Sequence, residues 1–183
     1  SSRELLPQLF YLSLKEKLCS MNQISHLRSK ILSFSTLGNQ LKKWRKANEK
    51  IVFTNGCFDL LHFGHVDYLA KARDLGSRLV VGLNTDASIK RLKGSSRPIN
   101  DEQSRVALLA GMAYIDAVVL FDEESPIKLI SIIKPDFLVK GGDYEVKNIV
   151  GHEIVLSNNG KVCTIDFVDG YSSSALIEKV KAS

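Results

Sequence analysis

The chain has 183 residues, of which 44% are hydrophobic and 25% are charged, a composition typical of a globular protein with one main domain. This composition excludes the disordered and fibrous classes, and no apolar run approaches the roughly 18 residues that a membrane-spanning helix needs. A net charge of +5 is compatible with nucleic-acid binding, but the basic residues fall into two separate clusters. The location of each cluster therefore has to decide what it binds.

Cysteine usage and the N-terminal residues favour a cytoplasmic protein. Cys19, Cys57 and Cys163 form no C-x-x-C pair, which argues against a disulfide framework or a structural zinc site. The apolar stretch 5–14 is interrupted by Pro7 and is followed by charged residues without a small-residue cleavage site, unlike a signal peptide. Met21 is a candidate start, which leaves the origin of residues 1–20 open.

Residues 1–48 are predicted to form a helical N-terminal extension. Helical spacing is followed by the leucines of its first part, Leu5, Leu6, Leu9, Leu12 and Leu14. A second helix is predicted over 37–47, with Leu37, Leu41 and Trp44 on one face. Its other faces carry Lys42, Lys43, Arg45 and Lys46. This basic run is interpreted as a solvated helix face.

Residues 49–183 are predicted to form a second unit, of the α/β class. Short apolar runs alternate there with longer helix-like segments, at 51–53, 79–83, 117–121, 137–139 and 162–167. Unbroken Val, Ile and Leu runs suit strands that are buried on both faces of a parallel sheet, so we predict a doubly wound, Rossmann-like sheet. Asn158-Asn159-Gly160 is predicted to be a turn between two short strands.

The first strand of this unit, Ile51–Asn55, runs through a glycine turn towards a predicted helix at 66–74. Backbone N–H groups and a helix N-terminus would converge there, so a phosphate site is plausible, although the turn is neither a Walker A loop nor a G-x-G-x-x-G sequence. His62 and His65 could both face one oxyanion, with Gly64 allowing close approach. The same spacing could bind a metal or merely cap the helix.

Two further helix starts are indicated along the chain. Asn100-Asp-Glu-Gln103 has the pattern of a helix cap that would aim Arg105 consistently. Ser172–Ser174 could cap the last helix, bind phosphate through the same free N–H groups, or do both. Asp59 could hold the turn after the first strand or assist Mg²⁺, and the turn role is favoured.

These segments resemble the cytidylyltransferase-like nucleotidyltransferase superfamily. Asn55-Gly-Cys-Phe-Asp59 with His62-Phe-Gly-His65 is similar to its first signature, and Gly170-Tyr-Ser-Ser-Ser174 is similar to its second. Two motifs about 110 residues apart in the right order are far more specific than either alone. Tyr171 and Ala175 depart from the pattern, which puts the pyrophosphate contacts at that end in doubt.

Between these two motifs, three parts of the chain resemble family members that adenylylate a heptose 1-phosphate. They are the segment 91–100, Arg105 and the segment 136–144. The resemblance covers about residues 50–180 and implies the HxGH nucleotidyltransferase fold. It also implies transfer of AMP from ATP to D-glycero-β-D-manno-heptose 1-phosphate with Mg²⁺, giving ADP-heptose and pyrophosphate for lipopolysaccharide core synthesis. A homodimer and a separate, monofunctional form are expected on the same ground, with neither nucleic acid nor membrane as partner.

The resemblance also implies roles for particular residues. The catalytic set comprises His62, His65, Lys93 and Arg105. Nucleotide contacts are expected from these histidines, Lys93, Asn55, Gly56, Cys57, Phe58, Gly142, Asp143, Ser172, Ser173 and Ser174. Acceptor contacts are expected from Asp59, Arg91, Arg97 and Lys140, although Arg97 could be a loop charge and Lys140 could simply end a strand. No protein-ligated metal and no reactive role for the Cys57 thiol are expected.

This set suits the reaction, because a phosphate monoester with a second pKa of about 6 is already an anionic nucleophile near pH 7. Catalysis then needs positioning and charge stabilisation rather than a nucleophile–base triad. Two other hypotheses stay open. A cytidylyltransferase for glycerol 3-phosphate or another small phosphate would share both end motifs, and a nucleic-acid-binding module would use the face Lys42–Lys46 but lacks a recognisable binding signature.

Overall fold

A computed structural model of the protein describes residues 22–142 and 144–182. The predictions for the leucine stretch 5–14, Cys19, Met21 and Asp143 lie outside the described residues. Among the residues that are described, no helix is long and apolar enough to cross a membrane.

Strands and helices alternate along the described chain. The strands are β1 (Ile31–Leu32), β2 (Ile51–Gly56), β3 (Arg78–Asn84), β4 (Ala117–Phe121), β5 (Phe137–Gly141) and β6 (Lys161–Ile165). The helices are α1 (Gln23–Ser29), α2 (Phe34–Lys46), α3 (Phe63–Asp74), α4 (Asp86–Lys93), α5 (Glu102–Ala110), α6 (Ile127–Ile133), α7 (His152–Ser157) and α8 (Ser173–Lys181). A 3₁₀ turn occupies Val146–Asn148.

The six strands form one parallel sheet in the order β1-β4-β3-β2-β5-β6, which confirms the predicted doubly wound, Rossmann-like architecture. After β1 at one edge, the chain enters the middle of this sheet at β2, adds β3 and β4 towards β1, and then returns to add β5 and β6 on the other side. Strand order therefore reverses between β2 and β5. Ligands of such sheets bind in the crevice beyond the carboxyl ends of the strands at this reversal.

Alternate residues of each central strand enter two hydrophobic clusters on opposite faces of the sheet. Phe53 and Val80 pack on one face with Leu41 of α2, and Val52 and Val81 pack on the other with helices α3 and α5. All of the strand residues from Ile51 to Thr54 are fully buried. The unbroken apolar runs of the sequence therefore have the burial on both faces that a parallel sheet requires.

The predicted helix at 37–47 is confirmed as α2, and its predicted apolar face is buried, with Leu37 at 0%, Leu41 at 2% and Trp44 at 6% exposure. The prediction of an entirely helical extension missed β1. Ile31 and Leu32 pair with Val118 and Val119 of β4 and extend the sheet at its edge. A two-residue strand is too short to produce a periodic pattern, and the boundary at residue 48 stays a prediction.

Two local predictions were wrong. Asp101, rather than Asn100, caps α5, because its Oδ1 accepts the N–H of Ser104 at 2.7 Å while the Asn100 side chain donates to the carbonyl of Asp59. The turn 158–160 joins α7 to β6 rather than two strands.

Leu41→Ala is expected to lower the free energy of unfolding by about 2–5 kcal/mol, because it leaves a cavity between α2 and the sheet. Lys42→Ala, at an exposed position of the same helix, should change it by less than about 0.5 kcal/mol. Urea unfolding followed by circular dichroism measures both. Equal, small effects would show that α2 does not belong to the folded core.

Candidate active site

Two adjoining cavities lie beyond the carboxyl ends of β2 and β5, at the reversal of strand order. The inner cavity, about 350 Å³, is lined by Asn55, Gly56, Cys57, Phe58, Asp59, His65, Tyr68, Lys93, Arg97, Lys140, Gly141, Tyr144, Phe167 and Ser173. The outer cavity, about 490 Å³, is lined by His62, His65, Lys93, Arg97, Phe167, Tyr171, Ser172, Ser173 and Ser174. The two share His65, Lys93, Arg97, Phe167 and Ser173.

The two histidines of the first motif lie face to face at the start of α3. The ring centroids of His62 and His65 are 3.9 Å apart, with an angle of 28° between their planes. His62 occupies the cap position of α3, but its side chain makes no capping hydrogen bond. The buried Nδ1 atoms of both rings have no hydrogen-bond partner among the described residues. The helix-capping explanation is therefore not supported.

Gly64 allows the close packing of this arrangement. A Cβ at this position would lie 3.1 Å from Nδ1 of His62 and 3.2 Å from Cβ of Tyr171. A larger residue would therefore require the His62 ring or Tyr171 to shift by a few tenths of an ångström.

Burial keeps both imidazoles uncharged at neutral pH. It lowers the pKa of His65 to about 4, with smaller contributions from the neighbouring His62 and Lys93, and it lowers the pKa of His62. A bound polyanion would favour the charged form of each ring. A metal ion bound by the two histidines would lack a third protein ligand, since within residues 22–142 and 144–182 no group of three His, Cys, Asp or Glu side chains could hold an ion.

Asp59 fixes the loop between α4 and α5, whereas its favoured predicted role was to hold the turn after the first strand. Its Oδ1 accepts the backbone N–H groups of Ile99 and Asn100 at 2.8 and 2.9 Å, and its Oδ2 forms an ion pair with Arg97 at 2.7 Å. Arg97 is thereby held over both cavities with its side chain 16% exposed. Both carboxylate oxygens thus face N–H groups or a cation of the chain itself.

The structure corrects the expectation that Arg105 supports phosphate. Its fully buried guanidinium donates to the carbonyls of Cys57, Asn84 and Asn100 and forms an ion pair with Asp86 at 2.7 Å. It lines neither cavity. Its helix was predicted, but the sequence does not reveal which way the side chain points. Arg105 is a positioning residue that fixes the loops after β2 and β3.

Arg91 is also placed away from both cavities, in contrast to its predicted acceptor contact. Its guanidinium donates to the carbonyl of Asp122 and lies 3.2 Å from that residue's carboxylate. Its partner is therefore a surface aspartate beyond β4.

Lys93 and Lys140 are brought to the cavities from different elements. Lys93 is the last residue of α4 and lines both cavities. Lys140, near the end of β5, lines the inner one and donates from Nζ to Oδ1 of Asn55 at 2.6 Å. Burial lowers its pKa to about 8.

The second motif begins α8 as predicted. The Ser172 hydroxyl accepts the N–H of Ala175 at 3.0 Å, and the Ser173 hydroxyl donates to the carbonyl of Leu60, which ties α8 to the first motif. Gly142 is held by a hydrogen bond from its N–H to Ile165 and lines neither cavity. A Cβ on the adjacent Gly141 would lie 2.4 Å from the Phe167 ring. The roles predicted for the residues that do line the cavities stay predictions.

Five lining residues were not predicted as contacts: Tyr68, Gly141, Tyr144, Phe167 and Tyr171. Tyr68 follows His65 by three positions on α3, so helical spacing could have identified it, and its hydroxyl is bonded to Thr54 at 2.7 Å. Tyr144 stands beside the predicted Asp143. Phe167 belongs to the predicted last strand 162–167 but lies beyond the end of β6, and only the fold brings its ring over Gly141.

Comparisons with known proteins agree with this geometry. Residues 53–179 match the cytidylyltransferase-like family. The bifunctional protein HldE of Citrifermentans bemidjiense is 54% identical over 155 residues, which are 85% of this chain and 32% of that protein. HldE of Campylobacter jejuni is 56% identical over 137 residues, 75% of this chain and 29% of that protein. The chain thus spans about a third of the length of these relatives.

Solved structures give a similar result. A crystal structure of the lipopolysaccharide core biosynthesis protein from Thermoplasma volcanium has 31% identity and a TM-score of 0.53, covering 68% of this chain and 99% of that one. Pantoate-β-alanine ligase from Francisella tularensis has 14% identity and a TM-score of 0.50, covering 82% of this chain and 76% of its own. The second likeness shows the fold alone.

Arg105→Met is expected to lower the free energy of unfolding by about 3–5 kcal/mol, because it leaves buried carbonyls and Asp86 without their partner. Arg91→Met is the matched control, since its ion pair is exposed and should contribute less than about 1 kcal/mol. Urea unfolding of both variants measures the difference. Similar losses in the two variants would contradict the positioning role of Arg105.

Acidification should destabilise the protein partly through His65. Between the ordinary histidine pKa of 6.5 and the value of about 4 in the folded protein, the unfolded chain binds a proton that the folded one does not. Stability therefore falls as pH decreases through this range. In His65→Gln the drop in melting temperature from pH 7 to pH 5 should be smaller than in the wild type. His26→Gln, at an exposed position, should show the wild-type drop; an unchanged drop in His65→Gln would refute the assignment.

Proposed function

Because the chain belongs to the cytidylyltransferase-like nucleotidyltransferases, we propose that it transfers AMP from ATP to D-glycero-β-D-manno-heptose 1-phosphate, releasing pyrophosphate and forming ADP-heptose. The observation that carries the proposal is the pair of joined cavities, whose shared lining combines His65, Lys93, Arg97 and Ser173. Two anionic ligands can meet at such a junction of donors and cations.

The acceptor supplies its own nucleophile. A phosphate monoester is mostly dianionic near pH 7, so one of its oxygens can attack the α-phosphorus of ATP without a general base. A new bond forms between that oxygen and the α-phosphorus, the bond from the α-phosphorus to the bridging oxygen breaks, and pyrophosphate leaves. Charge increases on the leaving pyrophosphate, so donors around it lower the barrier.

The residues that line the outer cavity suit the triphosphate. The paired rings of His62 and His65 present N–H groups, and the N-terminus of α8 supplies the backbone N–H groups and dipole that favour anions. Lys93 adds a positive charge at the junction with the inner cavity, and Arg97, paired with Asp59, adds further N–H donors there. Mg²⁺ would be carried by the phosphate oxygens, since Asp59 is committed to Arg97 and to two backbone N–H groups.

The proposal that the acceptor is a heptose 1-phosphate has two kinds of support. One is the similarity of the segments 91–100 and 136–144 to those of heptose 1-phosphate adenylyltransferases. The other is the name of the Thermoplasma volcanium relative, which assigns that protein to lipopolysaccharide core biosynthesis. A cytoplasmic location and a homodimer remain expectations from the resemblance.

The reaction is tested by pyrophosphate release with Mg²⁺, offering ATP or CTP with heptose 1-phosphate or glycerol 3-phosphate. Release is expected with ATP and heptose 1-phosphate. His65→Ala should lower kcat about 100- to 1000-fold, the range for losing one donor to developing charge, while His26→Ala, on exposed α1, should leave it unchanged. Activity with CTP alone would identify a cytidylyltransferase, and no release with any pair would refute the proposed reaction.

A further inference from the structure

Lys140 is a cation in an unusual setting. It is mostly buried near the end of β5, and its Nζ donates one hydrogen bond, to Oδ1 of Asn55 on β2. Among the described residues, no carboxylate forms an ion pair with it. Its two other N–H groups have no hydrogen-bond acceptor among those residues.

This setting is costly without an anion. A charged ammonium loses hydration when it is buried, and a neutral amide oxygen returns only part of that free energy. Burial accordingly lowers the Lys140 pKa to about 8. Ionisable groups with pKa values shifted by burial in a cleft cluster at functional sites.

The position of Lys140 separates it from the donors of the triphosphate. It lines the inner cavity, which it shares with Asn55 and Tyr144, and is absent from the lining of the outer cavity. The outer cavity has its own anion donors in His62 and in the serines at the start of α8. An anion that contacts Lys140 therefore enters on the β2–β5 side of the junction.

The two strands also make room for a ligand there. β2 pairs with β5 only at Val52 and Phe53, whereas it pairs with β3 along its whole length to Gly56. Beyond the pair of Phe53 and Leu138 the register of the two strands ends, and the side-chain contact between Asn55 and Lys140 spans the gap.

We propose that the Lys140 ammonium, held by Asn55, binds the phosphate of the acceptor in the inner cavity and determines the affinity for that substrate. The proposal rests on the proposed function, because it needs a phosphate monoester as the second substrate. The acceptor phosphate then approaches the junction from the inner cavity while the triphosphate occupies the outer one. The attacked α-phosphorus lies between them, beside His65, Lys93 and Arg97.

A binding lysine and a structural lysine differ in their effect on stability. The folded pKa of about 8 lies below the ordinary lysine value of 10.5, so the buried charge destabilises the fold fully below pH 8 and progressively less up to about pH 10.5. Lys140→Met should therefore melt at the same temperature as the wild type or higher at pH 7. A structural lysine would give a lower melting temperature on removal.

The test is a calorimetric titration of heptose 1-phosphate into wild type, Lys140→Met and Lys161→Met, each saturated with a non-hydrolysable ATP analogue and Mg²⁺. Lys161, an exposed lysine at the opposite end of the neighbouring strand β6, is the matched control. Lys140→Met should raise the Kd of the sugar phosphate about 10- to 100-fold, as expected for losing a charged hydrogen bond. Its Kd for the ATP analogue should change less than about threefold.

The pH dependence gives a second readout. The wild-type Kd for heptose 1-phosphate should rise as pH increases above 8, where free Lys140 loses its proton, and Lys140→Met should lack this rise. Unchanged sugar-phosphate affinity in Lys140→Met, or an equal loss of affinity for the ATP analogue, would overturn this inference but not the proposed function. Failure of the wild type to bind heptose 1-phosphate would refute the proposed function and, with it, this inference.

Discussion

The site depends on one buried arginine. Arg105 lies in the core with 0% exposure and gathers the carbonyls at the ends of β2 and β3, from Cys57 and Asn84, together with that of Asn100. Carbonyl groups withdrawn from water need such partners, since an unsatisfied buried acceptor costs about 1–3 kcal/mol. By satisfying three of them at once, Arg105 fixes the loops that carry the first motif and the segment before α5.

The electrostatics of the cleft follow from that frame. Asp59, held next to the Asn100 loop, is the one carboxylate among the described lining residues, and Arg97 neutralises it. The other ionisable groups of the lining include the imidazoles of His62 and His65, whose pKa values burial lowers, and two lysines, of which Lys140 has a lowered pKa. The lining therefore carries the positive charge of its lysines before phosphates arrive, and those phosphates favour the protonated forms of the imidazoles. Such coupling suits a transfer between two polyanions.

Periodicity and motif spacing predicted the parts of the fold that repeat along the chain. The five longer strands and the buried face of α2 each show a hydrophobic pattern that extends over several residues. One residue that departs from such a pattern does not change the prediction. The edge strand at Ile31 is too short for a pattern, and the roles of Arg91 and Arg105 depend on side-chain direction, which spacing does not encode. Phe167 reaches the cavities only because β6 lies beside β5, a long-range pairing that the sequence does not reveal.

The central claim is that a nucleoside triphosphate binds beyond β2, against the paired histidines and the start of α8. The chain contains four histidines, of which His62 and His65 line the cavities while His26 lies on α1 and His152 on α7. A two-dimensional NMR spectrum of the ¹⁵N-histidine-labelled protein, recorded during titration with Mg²⁺ and a non-hydrolysable ATP analogue, therefore tests the claim most directly. Shifts of the His62 and His65 ring signals, with His26 and His152 unchanged, are predicted. Saturated binding that leaves the signals of His62 and His65 unmoved would contradict the account.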